Sequence, residues 1–229
     1  MADDNSSHEV ARVGMALQDV IESSRILAET ASDAIITIDT ESTMLFVNKA
    51  AERIFGYSEE EMVGSKLTML MPEYLRHLHR EGLKNYVATG QKHISWEAVE
   101  LPGLHKSGNE ISLELSFNEF NRNGERFFTG IARDISKRKQ DESRLALQHS
   151  VAGILANADD VHHAAPKLLQ TICQHLDWQI ADFWLVDRND DVLQLLSNWR
   201  DSTITQAEGF EAINIQARYP QGETFPGKI

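Results

Sequence analysis

The chain has 229 residues, of which 41% are hydrophobic and 25% charged, a composition typical of a globular protein and not of a disordered or fibrous one. Its 22 Lys and Arg against 35 Asp and Glu give a formal net charge of −13, which disfavours nucleic acid as a partner. No apolar run exceeds four residues, and a membrane-spanning helix needs about 20, so we expect no membrane span. The first ten residues carry no Lys or Arg, and the single cysteine, Cys173, cannot form an internal disulfide. These features favour a cytoplasmic protein.

Residues 1–28 are predicted to form an N-terminal helix. Apolar residues recur there in steps of three and four, with a polar interruption at Ser24, and form one stripe along the helix: Val10, Val13, Leu17, Val20 and Leu27. Such a stripe fits either the seam of a coiled coil or a helix that packs on its own domain, and the sequence leaves both open.

Residues 29–136 are predicted to form an α+β domain with a sheet. β-Branched and aromatic runs separated by turn residues predict a first hairpin and then three strands: Ala34–Thr40, Met44–Asn48, Ile94–Leu101, Glu110–Phe120 and Arg126–Ile135. Cap and stop residues predict three helices between the second and third strands: Lys49–Phe55, one from Ser58 to Gly64, and Glu73–Tyr86.

Two further segments follow. Residues 137–158 begin with a highly charged stretch and continue into a narrow apolar stripe, which predicts a linker helix that pairs with a second copy of the chain: Leu147, Val151, Ile154, Ala158 and Val161. Residues 159–229 show a helix ending at Leu176 and strands at Ile180–Asp187 and Val192–Trp199. About 70 residues are too few for a complete α/β domain of this type, so we expect the chain to be a fragment.

The middle region resembles a PAS sensory domain over its whole length. The resemblance rests on several motifs taken together: Asp33-Ala34-Ile35, Val47-Asn48-Lys49-Ala50-Ala51-Glu52, Phe55-Gly56-Tyr57, Glu61-Met62-Val63-Gly64-Ser65, Lys106-Ser107-Gly108 and Gly130-Ile131-Ala132-Arg133-Asp134-Ile135-Ser136. Residues 159–229 look like the beginning of a GAF domain, with Trp178, Phe183-Trp184-Leu185-Val186 and Phe225-Pro226-Gly227 as signposts. This order is similar to the input half of bacterial sensor histidine kinases and of diguanylate cyclases or phosphodiesterases that handle cyclic dinucleotides.

The PAS resemblance implies a five-stranded antiparallel sheet whose inner face, together with the helices, encloses a cavity that receives a small molecule or cofactor. The expected wall is Ile36, Ile38, Phe46, Leu83, Ile94, Trp96, Leu113, Leu115, Phe117 and Phe128. The same residues would also serve as an ordinary core, so a domain that binds no ligand stays open.

The resemblance extends to haem-binding oxygen sensors. Those sensors hold their iron through a histidine on the helix that corresponds to Glu73–Tyr86 of this chain. The matching position is His79, which would be the axial metal ligand, with Ile94, Leu115 and Phe117 as apolar wall. Trp96 stands where those sensors have glycine, and Val99 where they have an arginine. The cofactor therefore stays open, with haem as one candidate.

The segment Asp134-Ile135-Ser136 matches the junction where a PAS domain joins its output helix, so we expect Asp134 and Ile135 to transmit the signal. A plain helix cap at Asp134 is the alternative. The sequence contains no phosphate-binding loop, nucleophile with a base, or zinc-protease helix, and we expect no enzyme in this chain, with the catalytic output following it. Two functions remain: a homodimeric sensor linked through its N-terminal and linker helices, and a ligand-free PAS dimerisation scaffold.

Overall fold

The computed structural model describes residues 22–187, 192–204 and 218–220, and its contacts divide the chain into two units between residues 139 and 140. Helix α1 covers the described residues 22–30. The other elements of the first unit are β1 (Ala34–Ile38), β2 (Met44–Val47), α2 (Lys49–Phe55), α3 (Glu59–Met62), a 3-10 turn (Leu67–Leu70), α4 (Glu73–Thr89), β3 (Val99–Leu104), β4 (Glu110–Arg122) and β5 (Glu125–Asp134).

The strands form an antiparallel five-stranded sheet in the order β2-β1-β5-β4-β3, which confirms the α+β class and the sheet predicted from the sequence. Successive side chains alternate between the two faces of a strand. One face is buried under the helices, and Gly130 on β5 lies opposite both Ile36 on β1 and Phe117 on β4. This inner face forms the floor of the candidate site.

Both predicted ends of α2 and the predicted start of α3 are confirmed, whereas α3 ends at Met62, before the predicted Gly64, and α4 continues to Thr89, three residues beyond the predicted Tyr86. Asn48 caps α2 by accepting a hydrogen bond from the Ala51 backbone N–H at 3.1 Å, and Ser58 and Glu61 form the capping box of α3. Gly90 ends α4 with a φ of 72°, a left-handed conformation that glycine adopts without steric cost. Gly90 therefore sets the end of α4, the helix that builds one wall of the candidate site.

The predicted inward orientation of Phe46 is wrong. Ile38 pairs with Met44 whereas Thr37 pairs with Phe46, so β2 carries a bulge with one extra residue, Leu45. A bulge reverses the alternation of faces beyond it. Met44 and Val47 are consequently the buried residues of β2, and Phe46 does not line the cavity.

The third strand begins later than predicted. β3 runs from Val99 to Leu104, and Ala98, just before it, has a φ of 49°. This left-handed residue breaks the extended conformation, so residues 91–98 form an irregular segment between α4 and β3 instead of the beginning of a strand. Ile94 and Trp96 belong to this segment.

The linker helix, α5, runs from Ser136 to Ala156, and α6 follows from Val161 to Leu176 with Asp160 as its N-cap. Helix α5 therefore ends two residues before the end of the predicted linker, residues 137–158. Ala158 falls between the two helices. Leu147, Val151 and Ile154 are half-buried on α5. Of the predicted N-terminal stripe, only Ser24 and Leu27 fall within the described residues, and Leu27 is exposed.

The second unit contains α6 and an antiparallel sheet ordered β6 (Ile180–Asp187), β7 (Val192–Arg200) and β8 (Arg218–Pro220). α6 packs its apolar face, which includes Leu169 and the buried Cys173, against β6 and β7, and burial raises the pKa of the Cys173 thiol. Residues 188–191, between the two predicted strands, and the signpost Phe225-Pro226-Gly227 lie outside the described residues. The GAF resemblance stays a prediction.

Candidate ligand cavity and signal junction

A cavity of about 330 Å³ lies between the inner face of the sheet, α4 and the segment 91–98. This volume is at the lower end of the range of about 300–1,000 Å³ that is usual for small-molecule sites. Most of its wall is apolar, and every strand of the sheet except β2 contributes: Ile36, Ile38, Leu101, Pro102, Gly103, Leu113, Leu115, Phe117, Phe128, Gly130 and Ala132, facing Leu75, Leu78, Leu83 and Tyr86 of α4.

All five residues predicted for the cofactor site line this cavity: His79, Ile94, Trp96, Leu115 and Phe117. Sequence reasoning missed β3, which contributes Leu101, Pro102 and Gly103, because the strand was placed too early. It also missed Lys92 and His93 in the irregular segment. Lys92 and His93 lie between Gly90, which ends α4, and the predicted wall residue Ile94. This position in the sequence could have indicated them.

Trp96 lines the cavity and belongs to an aromatic cluster. Its ring centroid lies 4.7 Å from that of Tyr86 and 6.4 Å from those of Phe117 and Phe128, with tilted or edge-to-face geometry. Such pairs add about 0.5–1.5 kcal/mol beyond burial of their area. The cluster joins α4, the segment 91–98 and the strands β4 and β5. A movement of Trp96 would therefore be transmitted to the sheet.

A charged network holds the hydroxyl of Tyr86. Arg126 forms a bidentate ion pair with Glu119 at 2.9 and 3.1 Å, and the Tyr86 hydroxyl donates to the same carboxylate at 2.7 Å. Arg126 above all, and then Tyr86, lower the pKa of Glu119, while the bond to Glu119 raises the pKa of Tyr86. The polar end of Tyr86 is thus engaged outside the cavity, and only its ring faces a ligand.

His79 lies on the wall with its Nε2 2.8 Å from the hydroxyl oxygen of Ser42. Ser42 is almost fully buried and adopts a φ of 66° in the turn between β1 and β2. Burial first, and the charge of Arg80 second, lower the pKa of His79, so its imidazole is held in the neutral form. His77, two residues earlier, is exposed and does not line the cavity.

The arrangement around His79 does not fit a haem. A neutral histidine in an apolar wall suits an iron ligand, but the Nε2 of His79 is already bonded to Ser42. Trp96, packed against three other rings, occupies space between α4 and the sheet where a porphyrin would have to enter. Val99, on β3, offers no side-chain hydrogen bond to a bound gas. Haem at His79 remains a prediction that this geometry does not support.

The junction between β5 and α5 is held by three polar contacts. Asp134 accepts a hydrogen bond from the Ser136 backbone N–H at 2.8 Å, and the Ile135 backbone N–H donates to the Ser112 carbonyl of β4 at 2.9 Å. The Ser112 backbone N–H in turn donates to the Ser136 hydroxyl at 3.3 Å. Ile135 is 3% exposed and anchors the chain at the start of the helix. Asp134 therefore organises the helix start from one residue before the N-cap position, which Ile135 occupies because its carbonyl accepts from the Lys139 backbone N–H at 2.9 Å.

A row of ion pairs crosses the outer face of the sheet. Arg133 binds Asp33 at 2.9 Å and approaches Glu114 at 3.8 Å, and Glu114 lies 3.6 Å from Arg138. Glu100 on β3 completes the row, because it receives Arg138 at 2.9 Å and Lys139 at 2.8 Å. The row therefore connects the residue before β1, three strands and the first turn of α5. Sequence reasoning missed it.

Over the described residues, no three His, Cys, Asp or Glu side chains converge as a metal site. None of the described helices combines the length and apolarity needed to cross a bilayer.

Comparison with known proteins shows which fold family the first unit matches. A family model described as the PAS fold matches residues 24–135, close to the predicted 29–136. The sensor protein FixL of Bradyrhizobium diazoefficiens is 35% identical over 121 residues, which cover 53% of this chain and 24% of FixL. The oxygen sensor protein DosP of Escherichia coli is 28% identical over 101 residues, 44% of this chain and 13% of DosP.

A crystal structure of the PAS domain of an HTR-like protein from Haloarcula marismortui aligns with 24% identity and a TM-score of 0.44, over 55% of this chain and 99% of that domain. The chain spans about a quarter or less of the length of the two curated relatives named above. The fold and the family match together define a sensory domain of the kind found in signal-transduction proteins. Residues 24–135 are a PAS domain.

Proposed function

We propose that this PAS domain is the input module of a bacterial signal-transduction protein and detects a small, mostly apolar molecule in its cavity. The carrying observation is the cavity itself, which has a mostly apolar wall and in which two polar wall residues, His79 and Tyr86, are bonded to protein partners. A ligand there gains affinity by burying apolar surface, at about 25 cal/mol per Å².

The proposed route of the signal runs through β3. Leu101, Pro102 and Gly103 face the ligand, while Glu100 on the same strand holds Arg138 and Lys139 of α5. A ligand that displaces β3 would therefore act on the start of the helix. Asp134 and Ile135 provide the fixed end of the same junction.

The output would be the pairing of α5 with a second copy of itself. Leu147, Val151 and Ile154 follow each other in steps of four and three along α5, the spacing of a coiled-coil seam. Such seams have discrete registers, so a small displacement at the start is converted into one of two states. A cytoplasmic location, a GAF domain after the linker and a kinase or cyclic-dinucleotide enzyme as effector are part of this proposal.

Native mass spectrometry of the purified chain tests the proposal. Detection of a stoichiometric bound small molecule that is lost in Gly130→Leu would support it. The leucine side chain would occupy part of the cavity. A dimer with an empty cavity, which gains no ligand from cell extract or from apolar test compounds, would contradict it and favour the dimerisation scaffold.

Haem is the second candidate, favoured by the position of His79 and by the similarity to an oxygen sensor. Absorption spectra after haem reconstitution decide between the two. We expect no Soret band that depends on His79. A Soret band in the wild type that is shifted or lost in His79→Ala, but not in His77→Ala, would establish haem instead.

A further inference from the structure

The exposed wall residues Lys92, His93 and Ile94 form the mouth of the cavity, which differs in charge from the interior. Lys92 and His93, both exposed, line the cavity beside Ile94, which is 49% exposed. Among the described residues no aspartate or glutamate lines the wall, in a chain whose net charge is −13. An anionic group at this mouth would therefore meet cationic and N–H donors and no like charge on the wall.

Lys92 is held close to the interior. Its Nζ lies 4.0 Å from the ring centroid of Trp96, a cation–π contact with another residue of the cavity wall. In the described part of the chain Lys92 has no carboxylate within ion-pair distance. The carboxylate whose pKa it influences, Glu119, already binds Arg126 and Tyr86.

We propose that the cavity binds an amphipathic monocarboxylate, with its apolar chain in the interior and its carboxylate at the mouth against Lys92 and His93. This inference rests on the proposed function and names its ligand class. The interior offers hydrocarbon contact and no free charge, so an apolar chain suits it. A carboxylate at the mouth keeps part of its hydration while it accepts charge-assisted hydrogen bonds from Lys92, which makes the mouth the least costly place for it.

Calorimetric titration of the whole chain with decanoate and with 1-decanol, both below their aggregation concentrations, tests the inference. The two compounds share the apolar chain and differ in the head group. A hydrogen bond to a charged group contributes about 1.5–3 kcal/mol, so we expect decanoate to bind about tenfold or more tightly than 1-decanol. Lys92→Gln should remove most of that advantage and leave the affinity for 1-decanol unchanged. Lys84→Gln, on the exposed side of α4, is the matched control and should change neither.

The outcomes separate the two proposals. Equal binding of both compounds, unaffected by Lys92→Gln, would overturn the carboxylate assignment and leave the apolar sensor intact. Binding of neither compound would overturn the carboxylate assignment, and if the purified chain also carried no other small molecule it would overturn the sensor as well. An equal loss for both compounds in Lys92→Gln would show that the lysine acts by packing on Trp96 and would contradict its role as head-group partner.

Discussion

The imidazole of His79 and the hydroxyl of Ser42 meet at 2.8 Å, which ties the middle of α4 to the turn between β1 and β2. Ser42 is 4% exposed and holds a left-handed φ of 66°, so the turn presents its hydroxyl to the helix from a conformation that serine rarely adopts. The contact fixes one side of the cavity and places a neutral imidazole where a charge would be costly.

Stability should fall as the pH falls below about 6.5, the ordinary histidine pKa, in part through His79. Burial lowers the folded-state pKa of His79, so below that pH the unfolded chain binds the proton and the folded chain does not. One such group contributes a slope of at most about 1.4 kcal/mol per pH unit, with stability lost on acidification. Urea unfolding between about pH 7 and about pH 5 should show a smaller slope in His79→Gln. His77→Gln, on the exposed face of α4, should keep the wild-type slope, and an identical slope in all three proteins would contradict the argument.

Alanine should be more destabilising at Gly103 than at Gly130. A Cβ at Gly103 would lie 2.5 Å from Leu113 Cδ1 and 3.1 Å from Phe55, while one at Gly130 would lie at an ordinary 3.6 Å from Phe117. Overpacking typically costs about 1–3 kcal/mol. We therefore expect Gly103→Ala to lower the free energy of unfolding by about that amount and Gly130→Ala to change it little. Denaturant unfolding measures both, and equal effects would refute the packing described for β3.

Reversing the charge of Glu100 should loosen the first turn of α5 without unfolding the domain. Glu100 receives both Arg138 and Lys139, and each pair is about half exposed, so the contribution to global stability is small. Hydrogen exchange should become faster at residues 137–142 in Glu100→Lys. Adding Lys139→Glu should slow it again in part, and Glu125→Lys, exposed at the β4–β5 turn, serves as the control. A change spread over the whole sheet would indicate misfolding instead.

Asp134→Ala should weaken the start of α5, while Asp134→Asn should preserve it. The Asp134 Oδ1 accepts from the Ser136 backbone N–H, and an amide oxygen can do the same. Loss of such a contact at a helix start typically costs about 1 kcal/mol. In the proposed sensor, output should be altered by alanine and retained by asparagine. If asparagine abolishes the output as alanine does, the charge of Asp134 has a role beyond organising the helix.

The apolar stripe of α5 should decide whether the chain is a dimer. Leu147, Val151 and Ile154 are half-buried along one line of the helix, with the spacing of a coiled-coil seam. Sedimentation of the chain at high concentration should show a dimer, because pairing would bury this line. Leu147→Lys with Val151→Lys should convert it to a monomer with an intact PAS domain.

The matched control for the stripe is Leu145→Lys with Ala152→Lys. Both positions are exposed on α5, lie one heptad apart on a face away from the stripe, and add the same positive charge as the test variant. The control should leave the dimer intact. A dimer that survives Leu147→Lys with Val151→Lys would contradict the predicted seam, and so would a monomer in both double variants.

Local signals predicted most of the PAS domain. Asn48, the Ser58–Glu61 capping box and the Asn123-Gly124 turn, with φ values of 54° and 83°, each act within a few residues, so their positions could be read from the sequence. The inward residues of β4 followed from strict alternation. The cavity residues Leu115 and Phe117 were found for that reason.

The errors have non-local causes. The bulge that turns Phe46 outward depends on how β2 pairs with β1, and nothing within β2 marks it. The late start of β3 follows from the left-handed conformation of Ala98, a residue that carries no signal for it. The ionic row joins Asp33 to Arg133, which are 100 positions apart, so only the folded sheet brings them together.

Burial of Ile135 fixes the rotational phase of α5 at its first turn, because the side chain cannot leave the domain without exposing itself to water. Each residue added or removed downstream would then turn whatever follows by about 100°. Grafts of this domain onto a foreign effector should consequently work only at certain spacer lengths, which recur about every seven residues.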